Sequence, residues 1–372
     1  MSYGTVQAEK MTTESGYSLG AGNASSFKNR IINGGMVIDQ RNAGASSSVV
    51  NGTYYLDRFA CYTSTASDYT VGQNLNSATP PAGFQKYMGF QSAIATSPAA
   101  SDYHFFAQQI EANNISDIQF GSAGAKSLTL SFWVRSSLTG TFGGAITNNN
   151  STRSYPFSFT IDSANTWEQK SVTIPGDTSG TWSLSGTGSG MFVRFMLGSG
   201  SNRTGTVNTW ASANYDGPTG CTALTATSGA TYYITGVQLE VGTVATSFDF
   251  RSYGTEYQLC QRYFEKSIAD GTAANATTNP APTLVGANYS SVTTRTQIFY
   301  KVPKRATPTL TRIPSSTGGS GSQWAWYSGG WSGGATNVAQ QNANSFSVDI
   351  TISGTAFQST IIDGNWYADA EL

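Results

Sequence analysis

The stretch from Thr231 to Ser267 changes its hydrophobic period, and this change constrains the fold of the whole chain. Apolar and polar residues alternate through Val237–Val241, which is the period of a strand with one buried face. Farther along, apolar residues recur with the spacing of one helix face. They are Tyr253, Tyr257, Cys260 and Phe264. Strand patterns lie on both sides, so we predict that a short helical hinge, residues 251–268, joins two β domains.

The clearest strand patterns lie upstream of this hinge. In Ser127–Arg135 and in Tyr155–Ile161, apolar residues alternate with other residues, whereas Met191–Leu197 is apolar on both sides apart from Arg194. The last pattern predicts a central strand that is covered on both faces. Short strands separated by turns rich in Gly, Ser and Asn are typical of an antiparallel sandwich. We therefore predict an all-β protein, with an antiparallel jelly-roll sandwich over residues 29–250 and a smaller C-terminal β domain over 269–372.

The first part of the chain adds three expectations. Residues 1–28 are polar and contain too few apolar side chains to form a core of their own. Asn29–Asp39 has the apolar content of a first strand, and Tyr54–Tyr62 reads as an aromatic strand. Asp57 and Arg58 are adjacent on that second strand, so their side chains point to opposite faces and should find separate partners.

The charge and composition of the chain indicate which classes of partner it can bind. Only 11% of the residues are charged, the net charge is −1, and 12% of the residues are aromatic. The lack of a Lys/Arg cluster argues against nucleic-acid binding, which needs concentrated positive charge. The aromatic content is enough to build a core. A surface of hydroxyl and amide groups suits uncharged polar partners, such as sugars or neighbouring subunits.

The cysteines and the hydropathy of the sequence indicate where in the cell the protein is made. Cys61, Cys221 and Cys260 are odd in number and have unrelated spacings, which indicates free thiols made in a reducing cytoplasm. No signal peptide is visible, and no run of 18 apolar residues is present. We therefore expect a product of the cytoplasm that does not insert into a membrane.

The sequence offers little for catalysis or for metal binding. His104 is the single histidine, and its aromatic neighbours favour a packed residue over a catalytic one. Paired carboxylates of the kind used by glycosidases are harder to judge, because the sequence does not say which acids approach one another. We expect no enzymatic activity and no cofactor. A structural calcium ion held by loop acids such as Asp162, Asp177 and Asp216 is an alternative to plain solvation of these acids.

Aromatic residues in polar loops are the candidate ligand contacts, because sugars stack their C–H faces on Trp and Tyr. The most prominent group lies in the Gly-rich stretch Gly318–Thr336 and comprises Trp324, Trp326, Tyr327 and Trp331. It can contact a glycan, a sister subunit or the core of its own domain. Trp133 with Arg135, on the polar face of a strand, is a second candidate surface, with packing as the alternative. Trp210 with Tyr215, in a Ser/Asn/Gly loop, is a third.

Four segments together resemble the fibre and appendage proteins of tailed bacteriophages. They are NRIINGGMVIDQRNAG (Asn29–Gly44) with YYLDRF (Tyr54–Phe59), AKSLTLSFWVRSS (Ala125–Ser137), VQLEVGTVATSFDFRSYGTEYQLCQRYFEKS (Val237–Ser267) and the final WYADAEL (Trp366–Leu372). The resemblance implies a jelly-roll module close to carbohydrate-binding modules. It also implies a homotrimer, and an N-terminal arm, residues 1–28, that attaches to other virion proteins.

The leading interpretation is therefore a non-enzymatic virion protein, a trimeric tail fibre or appendage that binds host-surface glycans. One alternative is a capsid decoration or head-fibre protein that stabilises the shell, and another is a glycan-degrading tailspike. The sequence does not distinguish a tail position from a capsid position, and it does not indicate which domain is distal.

Overall fold

The structure is a computed structural model of the chain. It describes residues 11–12, 18–19, 28–65, 68–277, 283–314, 324–327, 330–353 and 358–372. The predicted arm, residues 1–28, lies outside this set apart from Lys28 and two short strands, β1 (Met11–Thr12) and β2 (Ser18–Leu19), which pair antiparallel.

The chain forms two compact units. The first contains the described residues up to Val37, together with Ser46–Tyr54 and Phe59–Arg251. The second contains Ile38–Ala45, Tyr55–Arg58 and the residues from Ser252 onwards. Two segments from the first sixty residues thus belong to the C-terminal unit, whereas the sequence-based boundaries assign them to the jelly roll.

The first unit is built from two six-stranded sheets. One has the strand order β11-β10-β13-β8-β5-β4, and the other has the order β12-β9-β16-β7-β6-β3. The strands are β3 (Ser47–Ser48), β4 (Thr53–Leu56), β5 (Phe59–Thr63), β6 (Tyr69–Gln73), β7 (Met88–Ser92), β8 (Tyr103–Glu111), β9 (Leu128–Ser136), β10 (Gly140–Asn148), β11 (Ser154–Ile161), β12 (Glu168–Ile174), β13 (Ser189–Ser199), β14 (Thr204–Gly205), β15 (Gly217–Pro218) and β16 (Thr231–Val241). The short 3₁₀ helices are Leu75–Ser77, Ala112–Ile118, Ser201–Arg203 and Leu224–Ala226.

The two sheets form a jelly-roll sandwich, as predicted. Strands that follow one another in the chain repeatedly change sheet, as β7, β8 and β9 do. Neighbouring strands within each sheet pair antiparallel. Strand β13 lies between β10 and β8 with most of its residues buried, which confirms the prediction of a central strand.

An aromatic core fills the space between the sheets. Phe90 of one sheet stacks on Phe106 of the other, with ring centroids 4.7 Å apart. Phe132 meets Phe195 edge to face at 5.0 Å. The alternation that predicted β9 is confirmed, because its inward residues are fully buried while Trp133 and Arg135 remain partly exposed.

The prediction of a strand at Asn29–Asp39 is wrong. This segment is irregular, and side chains satisfy several of its backbone groups instead of a β ladder. The Ile31 amide donates to Asn29 Oδ1 (2.9 Å), and the Ile32 amide donates to Gln108 Oε1 (2.8 Å). Residues 29–39 therefore have the apolar composition of a strand but do not pair with a neighbouring strand.

The second unit is also mostly β. A seven-stranded sheet has the order β22-β21-β25-β18-β19-β24-β23, and a three-stranded sheet has the order β17-β26-β20. The elements are α1 (Tyr253–Gln261), β17 (Phe264–Lys266), β18 (Thr283–Asn288), β19 (Thr293–Phe299), β20 (Thr309–Ile313), β21 (Trp324–Tyr327), β22 (Trp331–Gly334), β23 (Thr336–Gln341), β24 (Ser345–Thr351), β25 (Ser359–Asp363) and β26 (Asn365–Asp369). Its core contains Trp324, Phe346, Val348, Ile350 and Ile362.

The helix is shorter than its periodicity predicts. It begins after Ser252, whose Oγ accepts from the Thr255 amide, and it ends at Gln261. Phe264 fits the helical period but belongs to β17, where it pairs with Asp369 of β26. Tertiary pairing of this segment therefore overrides its helical pattern.

Asp57 and Arg58 form a turn rather than part of a strand, and they do have separate partners. Asp57 accepts from the backbone and side-chain nitrogens of Gln40, both at 2.7 Å. The Arg58 guanidinium pairs with Glu371 and lies 3.5 Å from the centroid of the Tyr263 ring. These buried contacts are part of the second unit.

Asp57 gives the second unit a specific pH dependence. Burial raises the pKa of Asp57 to about 6, although the Arg41 guanidinium opposes this shift. A carboxyl whose pKa rises on folding stabilises the folded state below its unfolded pKa of about 3.9, and this contribution is lost as the pH rises through the folded pKa. We expect Asp57→Asn to remove roughly 2–3 kcal/mol of pH dependence between about pH 4 and pH 6. Urea unfolding across that range measures it, and identical pH profiles for variant and wild type would contradict it.

Candidate functional site

Trp133 and Arg135 lie on the outer face of the first unit, on β9. Their neighbours Phe132 and Val134 point into the core, so the pleat directs the Trp133 and Arg135 side chains outward. Both side chains are half-buried. Strand β9 lies between β12 and β16, and these strands supply the residues on either side.

The Arg135 guanidinium contacts one ring and one backbone carbonyl. Its cross-strand partner is Tyr233, whose ring centroid lies 5.6 Å from the guanidinium carbon. Arg135 Nε donates to the Asn165 carbonyl (2.8 Å). Within the part of the chain that the structure describes, its terminal nitrogens have no protein acceptor. They are therefore available to donate to a ligand oxygen.

Trp167 completes this surface, and the sequence reasoning missed it. It immediately precedes β12, whose register pairs Glu168 with Val134 and so brings Trp167 beside Arg135. The indole Nε1 donates to the Thr79 carbonyl (2.7 Å), which fixes the ring. The Trp167 ring centroid is 6.4 Å from that of Tyr233.

A shallow depression of about 220 Å³ lies on β12, the strand next to the one that carries Trp133. Gln169 of β12 lines it and is the cross-strand partner of Trp133, and Ser171, Ala245 and Thr246 also line it. The one charged residue in this lining, Lys170, forms ion pairs with Glu168 (2.6 Å) and with Asp162 (3.1 Å). The depression itself is thus lined by an exposed amide, hydroxyls, a methyl group and an ion-paired lysine, while Trp133, Arg135 and Trp167 occupy neighbouring positions of the same sheet face. This set of groups suits a neutral, hydroxyl-rich ligand.

The Trp210 indole packs against three aromatic rings and remains partly exposed. It lies against Tyr155 (5.1 Å), Trp182 (5.7 Å) and Phe120 (5.7 Å), and its Nε1 donates to the Pro175 carbonyl (2.9 Å). Its single donor is therefore used. The ring supports the loop, and contact of its exposed part with a ligand stays a prediction.

Tyr215 borders a separate depression of about 560 Å³. Its ring lies on the backbone of Gly205, where a Cβ atom would come within 2.3 Å of the ring. Thr204, Thr206, Thr209 and Thr219 supply hydroxyls to the same lining. The structure does not bring Tyr215 together with Trp133, since the short strand that follows Tyr215, β15, packs against β10 and β11 of the other sheet.

Two of the acids considered for calcium are held by arginines. Asp216 has 0% exposure and accepts from Arg194 (2.9 Å) and Arg203 (2.9 and 3.0 Å). Burial lowers the pKa of Arg194, although Asp216 opposes that shift. Asp177 accepts from Arg153 at 2.6 and 2.8 Å. These carboxylates act as buried counter-ions, so their oxygens are not free to bind a cation.

The described residues contain neither a metal-binding cluster nor a membrane-spanning helix. No group of three or more His, Cys, Asp or Glu side chains in this part of the chain could hold a metal ion. No helix within the described ranges is long and apolar enough to span a bilayer.

The four aromatic residues of the Gly-rich stretch divide between the core and the surface of the second unit. Trp324 is fully buried and Trp326 is 9% exposed, so both belong to the core. Tyr327 is 44% exposed and Trp331 is 41% exposed, and they are cross-strand partners whose rings lie 5.5 Å apart. The prediction that Trp324 and Trp326 contact a ligand is wrong, and core packing explains them.

The difference in burial predicts different losses of stability when Trp324 and Trp331 are each changed to Ala. Trp324→Ala removes a fully buried indole, and we expect it to cost about 3–5 kcal/mol in the free energy of unfolding. Trp331→Ala removes a side chain that is already 41% exposed, and we expect a cost of about 1 kcal/mol or less. Urea unfolding of the two variants provides the comparison. Equal destabilisation by both changes would contradict this assignment.

No protein-family model matches the sequence, and no curated protein matches it. Among solved structures, the enzymatically active domain of tailspike protein 4 from bacteriophage CBA120 is 13% identical, with a TM-score of 0.30. That match covers 59% of this chain and 22% of the tailspike chain, so this chain spans less than a quarter of the tailspike's length.

Carbohydrate-binding modules also match. A CBM4 structure is 16% identical with a TM-score of 0.29, over 56% of this chain and 98% of that chain. The family 11 carbohydrate-binding module of the cellulosomal cellulase Lic26A-Cel5E from Clostridium thermocellum is 13% identical with a TM-score of 0.26. That second match covers 54% of this chain and 98% of the module. These scores are too low to transfer a function to this chain.

Proposed function

We propose that this chain is a non-enzymatic structural protein of a bacteriophage particle, a trimeric tail fibre or appendage that binds glycans on the host surface. The observation that carries the proposal is the partly exposed group Trp133, Arg135 and Trp167 on one face of the first unit, on strands next to the depression that Gln169 lines. Partly exposed indoles offer flat apolar faces to sugar rings, and the neighbouring donors and acceptors bond their hydroxyls.

The place of the protein in a virus particle rests on the sequence. Four ordered segments resemble phage appendage proteins, and the low charge fits a surface that meets polar, neutral partners. A trimer and an attachment arm at residues 1–28 are part of the same proposal.

The carboxyl groups support a binding role rather than glycoside cleavage. Such cleavage needs an accessible acid with a raised pKa next to an ionised carboxylate. Among the described residues, Asp39 and Asp57 have a raised pKa, but Asp57 has 0% exposure and Asp39 binds the Asn42 and Gly44 amides. Near the candidate surface, Lys170 and backbone amides lower the pKa of Glu168 despite the opposing effect of burial.

The position of the protein on purified particles tests the virion role. We expect antibody labelling or electron cryomicroscopy to place it on the tail. A position across the head would favour the capsid decoration role, and absence from the particle would overturn the proposal. Release of reducing ends from host polysaccharide by the purified chain would instead favour a degrading tailspike.

A further inference from the structure

A loop between β13 and β16 forms a depression of about 560 Å³ on the first unit. Pro218, in this loop, covers Gly143 of β10, where a Cβ atom would lie 2.6 Å from the Pro218 ring. The adjacent Phe142 points into the core, where its ring centroid lies 5.8 Å from that of Tyr232 in the other sheet. Because side chains alternate along a strand, the loop lies on the outer face of its sheet. The Trp133 surface is on the outer face of the other sheet, so the two lie on opposite sides of the sandwich.

Hydrogen bonds and ion pairs anchor this loop to the sandwich. Near one end, the buried Asp216 carboxylate accepts from Arg194 (2.9 Å) and from Arg203 (2.9 and 3.0 Å). Farther along the loop, Ala211 and Ser154 of β11 exchange two backbone hydrogen bonds of 2.9 and 3.0 Å. A loop that is held in place before a ligand arrives loses little conformational entropy on binding. The depression is therefore preformed.

The residues that line the depression are all uncharged. Four threonines and Tyr215 contribute hydroxyl groups, whereas Val207 and Ala211 contribute apolar surface. Within the described ranges, the hydroxyls of Thr206 and Tyr215 have no protein partner. A hydroxyl both donates and accepts hydrogen bonds, so these two groups match the hydroxyls of a sugar.

Tyr215 also offers part of an aromatic ring to a ligand. One side of the ring lies on the backbone of Gly205, where a Cβ atom would come within 2.3 Å of a ring carbon. This contact fixes the ring, and a ligand in the depression meets the rest of it, because the side chain is half-buried. A pyranose stacks its C–H face on such a ring while its hydroxyls bond the surrounding polar groups.

The same lining disfavours other classes of ligand. A divalent cation needs several oxygen ligands, carboxylates above all, and the lining has no carboxylate. An anion needs charged donors, but Arg194 and Arg203 lie outside the lining and bind Asp216. These two side chains carry one charge more than Asp216, but Arg194 is 4% exposed and Arg203 lies over the Tyr103 ring. A purely apolar ligand would leave the hydroxyls without partners, so a neutral sugar ring fits best.

We propose that this depression is a second sugar site, which takes one neutral pyranose ring, so that each chain binds glycan on both sides of the sandwich. The inference rests on the proposed function for the source of the sugar. A single ring makes few contacts, so we expect a Kd on the order of 1 mM. Such a site adds to host attachment but does not support it alone, and attachment stays with the Trp133 surface.

The test uses the full chain with Trp133→Ala, so that the second site is measured alone. The probes are glucose, galactose, mannose and N-acetylglucosamine at millimolar concentrations, and saturation-transfer NMR reports which of them binds. We expect at least one of them to bind with a Kd on the order of 1 mM. Binding of none of the four sugars would overturn the proposal.

Two matched substitutions in that chain locate the binding. Thr206→Trp fills the depression from an exposed position, and Thr178→Trp places the same indole at an exposed position of the first unit outside the lining. We expect the first to weaken sugar binding at least about tenfold and the second to leave it unchanged. Tyr215→Phe removes only one hydroxyl and should weaken binding roughly 3- to 10-fold. Equal binding by the two Trp variants, or a changed oligomer mass with Thr206→Trp in light scattering, would overturn the proposal.

The Thr206→Trp chain with Trp133 intact separates this proposal from the proposed function. It should still bind host-surface polysaccharide, because the Trp133 surface is unchanged. Monosaccharide binding at the depression without polysaccharide binding at Trp133 would contradict the proposed function and leave the second site standing. Polysaccharide binding at Trp133 without monosaccharide binding at the depression would overturn the second site alone.

Discussion

Glu371→Ala is expected to destabilise the second unit by about 3–5 kcal/mol, although the substitution lies one residue from the end of the chain. The Glu371 side chain is 4% exposed and forms ion pairs with Arg58 and with Arg41. Arg41 keeps a second partner in Asp369 (2.8 Å). Arg58, with 1% side-chain exposure, would lose the charge of its partner while still buried. The loss of the carboxylate that pairs with a buried guanidinium accounts for the size of the effect.

A double-mutant cycle separates this ion pair from general damage at the C-terminus. Arg58→Asn is the second variant, because Arg58 has a φ of 72° and Asn tolerates that left-handed conformation better than most residues. We expect the double variant to be at least 1 kcal/mol more stable than the sum of the single effects predicts. Urea unfolding of the four proteins measures the coupling. Additive effects, or a Glu371→Ala cost below about 0.5 kcal/mol, would contradict the proposed role of the pair.

Trp133→Ala is expected to weaken binding of host-surface polysaccharide by roughly 30-fold or more, the equivalent of about 2 kcal/mol lost at an aromatic contact. Trp133 is the cross-strand partner of Gln169, which lines the depression, and its loss removes a partly exposed apolar ring from this sheet face. Arg135→Gln should weaken binding less, because it removes guanidinium donors but leaves the ring. Isothermal titration of the polysaccharide into each protein gives the affinities.

The matched control for Trp133→Ala is Trp331→Ala in the second unit. Both remove an indole with partial exposure, but we assign only Trp133 to ligand binding. We expect the control to bind polysaccharide with wild-type affinity and the Trp133→Ala protein to unfold cooperatively. If the two variants lose affinity equally, or if only Trp331→Ala does, glycan binding does not belong to the Trp133 surface.

The strand patterns were sufficient to predict the sandwich. In β9 the two-residue period separates Phe132 from Trp133 in both sequence and structure, because one face of the strand is buried. The helix was located but extended too far, since Phe264 fits its period and yet pairs with Asp369. The pairing partner lies more than a hundred residues away, so local periodicity carries no information about it.

The sequence did not predict Trp167 as part of the candidate surface. It became part of the site only through the register of β12 on β9, which brings it beside Arg135. Register depends on hydrogen bonds between segments about thirty residues apart, so the sequence pattern did not reveal the neighbour. The side-chain alternation did show that Arg135 points outward.

The Gly-rich stretch was misread because glycine was taken as a sign of a loop. Gly334, within that stretch, instead lets the Trp326 indole approach, since a Cβ atom at that position would lie 3.2 Å from the ring. Trp324 and Trp326 are two residues apart on β21, and both face inward, whereas Tyr327 faces outward. The alternation within these four residues was therefore the usable signal.

Competition for host cells is the direct test of whether this protein binds the host surface. Purified wild-type chain is added to host cells before the virus particles, and the fraction of particles that adsorb is counted. We expect the wild-type protein and the Trp331→Ala protein to block adsorption. We expect the Trp133→Ala protein not to block it. Undiminished adsorption in the presence of saturating wild-type protein would contradict a glycan-binding appendage that acts through this surface.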